Sequence, residues 1–232
     1  MLTADTLNSH QIWHLLTRLG EAQILLPAAL LSAIALFVRA QTRKLAWTWT
    51  LLIAAAAAIT TATKVAFLGW GLGLAYINFT GVSGHSMFAA AIFPVLALTF
   101  VPPESCNSSR IPFLLGAVMA ILVGLSRIEV GAHSISEVLA GWILGGAVSA
   151  VALSVSEATI IFVPPTLIFI LLTWLVVMPF QLQASDTHAL VTRLALAVSG
   201  HDKTFKRHDL IGHRKTHSLF SQPPAQGNRV VG

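Results

Sequence analysis

The sequence predicts an all-α, polytopic membrane helix bundle of about six transmembrane helices. Three observations lead there. Hydrophobic residues make up 55% of the 232-residue chain and charged residues only 10%, where a soluble domain carries about 25% charged residues. Apolar runs recur at roughly the 17–25 residues that cross a hydrocarbon core. Polar clusters and the proline pairs Pro102-Pro103 and Pro164-Pro165 fall between those runs.

Taken in order, residues 8–20 place Ile12, Trp13, Leu15, Leu16 and Leu19 among polar neighbours. This is the pattern of a short amphipathic helix lying at the interface with Trp13 at headgroup level. The same stretch lacks the basic start and short apolar core of a secretory signal, so no cleaved leader is expected. The spans are expected at 22–38, 45–67, 84–101, 111–125, 133–153 and 160–178. Gly141, Gly145 and Gly146 suit close helix packing. From residue 183 the composition turns polar and basic, and 183–232 is expected to be a partly disordered tail following a membrane domain at 1–182. Its histidines His201, His208, His213 and His217 are expected to be solvated. One cysteine, Cys106, allows no intrachain disulfide.

Arg39, Arg43 and Lys44 follow the first span, and Arg110 lies between the third and fourth. Lys and Arg collect in cytoplasmic loops, so the 39–44 and 102–110 loops are expected in the cytoplasm. Six spans then put both termini outside, although a re-entrant 160–178 segment would put the tail inside.

The span count brings three polar clusters to the opposite face. Lys64 ends the second span and Ser83-Gly84-His85 opens the third. Ser126-Arg127 ends the fourth, and His133 opens the fifth with Glu137 one turn on. Ionisable groups in membrane segments are costly and mark functional sites. Helix N-termini bind anions, and Lys64 and Arg127 add positive charge, so a phosphate is the natural ligand. His133 and Glu137 share a helix face. A carboxylate on one ring nitrogen leaves the other free to attack, and His85 is then available for proton transfer.

These residues resemble the type 2 phosphatidic acid phosphatase family. Ser126-Arg127, five residues, His133, three residues and an acid is similar to its third signature. Ser83-Gly84-His85 resembles the second, with Val82 where the family has proline. Lys64 resembles the lysine that opens the first, but Gly71 and Leu72 stand where the family has Arg-Pro, and Glu137 stands for an aspartate. The resemblance implies a phosphatidic acid phosphatase type 2 core, with His133 as nucleophile forming a phosphohistidine, Glu137 orienting it and His85 protonating the leaving group. Lys64, Ser83, Gly84, Ser126 and Arg127 would hold phosphoryl oxygens. It implies a metal-independent lipid phosphatase without cofactor, in a bacterial inner membrane, with its site facing the periplasm or outside. The substrate would be undecaprenyl pyrophosphate, phosphatidylglycerol phosphate or phosphatidic acid. The partners are the lipid substrate and the bilayer; no nucleic acid is implied, and the oligomeric state is unknown. Two alternatives stand beside it: a weak or inactive member that binds anionic lipid or assists membrane assembly, and a metal site of His85, His133 and Glu137.

Overall fold

The computed structural model describes residues 4–99, 110–155, 164–181 and 187–209. Eight α-helices run through these segments: α1 (Ala4–Leu19), α2 (Ala22–Val38), α3 (Arg43–Trp70), α4 (Gly84–Thr99), α5 (Arg110–Glu129), α6 (Ile135–Ser154), α7 (Pro165–Gln181) and α8 (Thr187–Ser199). Among the described residues there is no strand, only an isolated antiparallel bridge between Leu74 and Phe79.

The helices α2 to α7 stand where the six spans are expected. α3, α5 and α6 are each long and apolar enough to cross a membrane alone, α1 and α2 pass together as one bent segment, and α4 and α7 are shorter apolar helices. Boundaries moved where the sequence offers no breaker. α5 continues past Ser126-Arg127 to Glu129, because the first residue that breaks it is Gly131, at φ +68°. α7 opens on Pro165, a position where the missing proline N–H has no partner to lose. Cys106 and the 102–109 loop lie outside the described residues.

α4 is the buried centre, with Met87, Ala89, Ala91, Ile92, Val95 and Leu96 essentially inaccessible. α5 and α6 pack on it through glycines. A Cβ on Gly116 would lie 2.4 Å from the Phe93 carbonyl oxygen, and one on Gly145 2.2 Å from that of Met87. Gly141 is similarly close to Ser83 and Ser86, whereas Gly146 faces open space and is no packing glycine. Three indole N–H groups tie helices together. Trp49 Nε1 donates to Ala91 O at 2.9 Å, Trp142 Nε1 to Ala120 O at 3.0 Å and Trp174 Nε1 to Ile24 O at 3.0 Å. In a water-poor interior such donors need a protein acceptor.

This arrangement gathers the C-terminal ends of α3 and α5 and the N-terminal ends of α4 and α6 on one face. Two further pieces join them. α1 packs against α5 and α7. Its pattern serves two protein cavities: His14, Thr17 and Arg18 face a polar one, while Leu15 and Leu19 face an apolar one. The tail also departs from expectation over 187–209, where α8 packs on α3, with Ala195 fully buried. His213 and His217 lie outside the described residues.

Candidate active site

A cavity of about 970 Å³ opens on that face, lined by Lys64, His85, Arg127 and His133 together with Gly84, Thr80, Arg18 and Arg207. Behind His133 lies Glu137, which has no exposed surface and does not itself line the cavity. Glu137 is the third residue of α6. A carboxylate there can turn back to the helix start, and its side chain accepts the Ser134 N–H at 3.1 Å. The same Oε2 lies 2.7 Å from His133 Nδ1. An ionised carboxylate only accepts, so Nδ1 carries the proton and Nε2 keeps its lone pair. Glu137 Oε1 accepts the Thr80 N–H at 2.8 Å and also the Thr80 hydroxyl. Arg207 Nη2 donates to Oε1 at 2.9 Å and to Oε2 at 2.8 Å. A buried carboxylate needs such saturation, because an unpaired charge in a dry interior costs several kcal/mol.

His133 stands in the connection between α5 and α6, whose turn is set locally. The Arg127 carbonyl accepts the N–H groups of Ala132 and His133 at 3.0 and 3.2 Å. Burial holds the His133 pKa below the usual histidine value, and the Glu137 hydrogen bond and charge pull the other way. The burial favours the neutral imidazole.

Lys64 reaches α4 from the last turns of α3, and its Nζ lies 3.8 Å from where a Gly84 Cβ would stand. Gly81, at φ +141°, lets the loop pass against Lys64, since a Cβ there would come within 3.1–3.3 Å of it. Arg127 donates from Nη1 to Thr17 Oγ1 at 2.9 Å, and its Nε is buried without a partner among the described residues. A buried guanidinium edge with no partner suits an anion.

The structure thus brings Lys64, Gly84, His85, Arg127 and His133 to one cavity, with Glu137 buried behind His133. It separates two serines from it. Ser126 is buried and donates to Val123 O at 2.6 Å, back into its own helix. Ser83 is buried under the cavity wall, with its hydroxyl accepting from Ser86 Oγ at 3.0 Å and its N–H donating to Glu137 O at 3.1 Å. Both serines tie the elements together, and neither lines the cavity. The sequence argument missed Thr80, Thr17, Arg18 and Arg207. Only Thr80, close before Ser83, lay near a recognised cluster.

The family model of the PAP2 superfamily matches residues 60–161, which contain every one of the sequence-predicted site residues. The chain is 38% identical over 207 residues to an uncharacterized 22.5 kDa protein in the cps region of Klebsiella pneumoniae, covering 85% of this chain and 97% of that one. It is 39% identical over 70 residues to phosphatidylglycerophosphatase B of Bacillus subtilis, covering 29% of this chain and 34% of that protein. The crystal structure of a transmembrane PAP2-type phosphatidylglycerolphosphate phosphatase from Bacillus subtilis is similar at a TM-score of 0.52 and 25% identity, over 64% of this chain and 76% of that chain. The chain belongs to the PAP2 superfamily, the type 2 phosphatidic acid phosphatases, as an integral membrane member.

Proposed function

We propose that this lipid phosphatase hydrolyses a lipid phosphomonoester or pyrophosphate through a phosphohistidine on His133. The observation that carries the reading is the His133 Nδ1 to Glu137 Oε2 bond of 2.7 Å, which holds His133 in the wall of a cavity also lined by Lys64 and Arg127. In this reading Nε2 of His133 attacks phosphorus and the bond to the lipid oxygen breaks. His85 gives that oxygen its proton. Water then attacks the phosphohistidine, with His85 taking the water proton, and inorganic phosphate leaves. Lys64, Arg127 and the Gly84 N–H hold the phosphoryl oxygens as charge shifts onto them. Fixed donors of that kind are worth about 10²–10³ in rate each. Both Glu137 oxygens are already engaged by N–H and O–H donors, which favours a mechanism without a metal.

A lipid substrate is supported by the second cavity. About 730 Å³ in volume, it is walled by Leu19, Phe93, Leu96, Met119, Leu175 and other apolar side chains, and α1 separates it from the polar cavity. A headgroup and an apolar chain have matching surroundings on the two faces of one helix. Among undecaprenyl pyrophosphate, phosphatidylglycerol phosphate and phosphatidic acid, the likeness in sequence and in structure to a Bacillus subtilis phosphatidylglycerolphosphate phosphatase makes phosphatidylglycerol phosphate the first to test. The basic loop of Arg39 and Arg43 lies at the end of the bundle away from the site, which supports a site facing outward from the cytoplasmic membrane.

The test is phosphate release by the purified protein from each of the three lipids, with and without a chelator. Activity is expected on at least one lipid and is expected to survive chelation. His133→Ala should remove it, by 10³-fold or more, on the order of losses seen when a nucleophile is deleted. Equal behaviour of wild type and His133→Ala on every lipid would sink the proposal in favour of a non-catalytic lipid-binding member.

A further inference from the structure

The segment after α8 docks on the end of α3 and enters the catalytic cavity from there. The last carbonyls of a helix have no partner inside it. In α3 the segment supplies them. Phe205 N–H donates to Leu68 O at 3.0 Å, and His201 Nδ1 lies 2.7 Å from Gly69 O, which fixes the proton on that nitrogen. The Phe205 ring sits against Gly71, where a Cβ would come within 2.9 Å of it. One residue on, Lys206 N–H donates to Asp209 Oδ2 at 2.8 Å and Asp209 N–H to Lys206 O at 3.0 Å. That turn aims Arg207 at Glu137.

Arg207 uses one nitrogen, Nη2, for both Glu137 oxygens. A guanidinium has five N–H groups in a rigid fork, and its side chain remains 37% exposed, within the cavity lining. The cavity is lined by Arg18, Lys64, Arg127, Lys206 and Arg207 against one lining carboxylate, Glu21, with Glu137 held behind His133. That excess of positive charge suits a phosphate. The alternative source of a guanidinium, residue 71, is closed. Gly71 is held at φ +70° as the cap of α3, a conformation costly for any side-chain-bearing residue, and Phe205 occupies the space beside it.

We infer that Arg207 is a phosphate-binding residue of the active site, its free guanidinium edge engaging phosphoryl oxygens while Nη2 stays on Glu137, and that residues 204–207 form a wall of the site. This rests on the phosphatase reading above. The test compares the full-length wild type with Arg207→Ala, Arg207→Lys and the charge-matched control Lys203→Ala, whose side chain is exposed and outside the cavity. The readouts are kcat/KM for lipid phosphate hydrolysis and inhibition by inorganic phosphate. Arg207→Ala should lose about 100-fold in kcat/KM, bind inorganic phosphate more weakly, and recover part of its rate when guanidinium ion is added. Arg207→Lys keeps the charge and loses the fork, so it carries the test if the alanine variant fails to fold; about tenfold loss is expected. Lys203→Ala should match wild type. A rate rise in Arg207→Ala, as a closing latch would give, overturns the inference, as does wild-type kcat/KM with unchanged phosphate inhibition in either Arg207 variant. An inactive wild type, or an active His133→Ala, would instead overturn the phosphatase reading itself.

Discussion

Two regions meet at Glu137, and they are built in opposite ways. The connection of residues 126–137 carries its chemistry in its spacing. Arg127 turns the chain with its own carbonyl, and Glu137 caps the helix that follows while holding a histidine four residues before it. All of those contacts are local, so the residue types and their intervals nearly specify the geometry. The 200–209 segment has no such pattern. Arg207 reaches a carboxylate 70 residues away because the end of α3 offers two carbonyls and a glycine-sized gap. The first region would keep much of its shape in any neighbourhood, and the second exists only by docking.

The widest way to break that comparison is at the shared residue. Glu137→Gln keeps the shape and one carbonyl oxygen but removes the charge that orients His133 and pairs with Arg207. Catalysis should fall by about 10³–10⁴, as when the acid of a carboxylate–histidine pair is replaced by its amide. The measurement is kcat on the best lipid of the panel. A loss of less than tenfold would mean that the hydrogen-bond geometry, and not the charge, orients the imidazole.

The same substitution sharpens the role of the local region through pH. Burial lowers the His133 pKa, and Glu137 opposes that by hydrogen bond and charge. The active form is the neutral imidazole, so the acid limb of kcat/KM should lie below pH 6.5, the unperturbed histidine value. Removing the carboxylate charge removes a contribution that raises the pKa. The acid limb of Glu137→Gln should therefore move to lower pH even as the rate drops. A limb above 6.5 in wild type, or an upward shift in the variant, would contradict the buried His133–Glu137 arrangement.

How much was legible follows the same division. The six apolar helices were readable because hydrocarbon demands long runs, and the clusters at 64, 83–85 and 126–137 because polar groups are rare between such runs. Span counting alone brought Lys64, His85, Arg127 and His133 to one face. What was not legible came from partners distant in sequence. Ser126 is the local exception: α5 continues through it, and its hydroxyl donates to Val123 O three residues back. The N-terminal helix looked interfacial because amphipathic periodicity does not say whether the polar face meets water or a protein cavity. The tail looked solvated because basic residues usually are, and no interval in the sequence relates Arg207 to Gly71.

The finest test separates backbone strain from docking. Gly71 and Gly131 both sit in the left-handed region, at φ +70° and +68°, one beneath the docked segment and one within the 126–137 connection. An alanine at either should cost about 1–2 kcal/mol from that conformation alone. Their surroundings differ, since a Cβ at 131 meets nothing within 4 Å whereas one at 71 meets the Phe205 ring at 2.9 Å. Gly71→Ala must therefore displace Phe205, and with it the turn that carries Arg207. Limited trypsin digestion reads this directly, because Lys203, Lys206 and Arg207 all lie in the docked segment. Cleavage there should be several-fold faster in Gly71→Ala than in wild type, and near wild-type speed in Gly131→Ala, although both variants are destabilised. Equal cleavage in the two would mean that the segment is not held by the end of α3, and the docked wall of the site would lose its physical basis while the local His133–Glu137 pair stood unchanged.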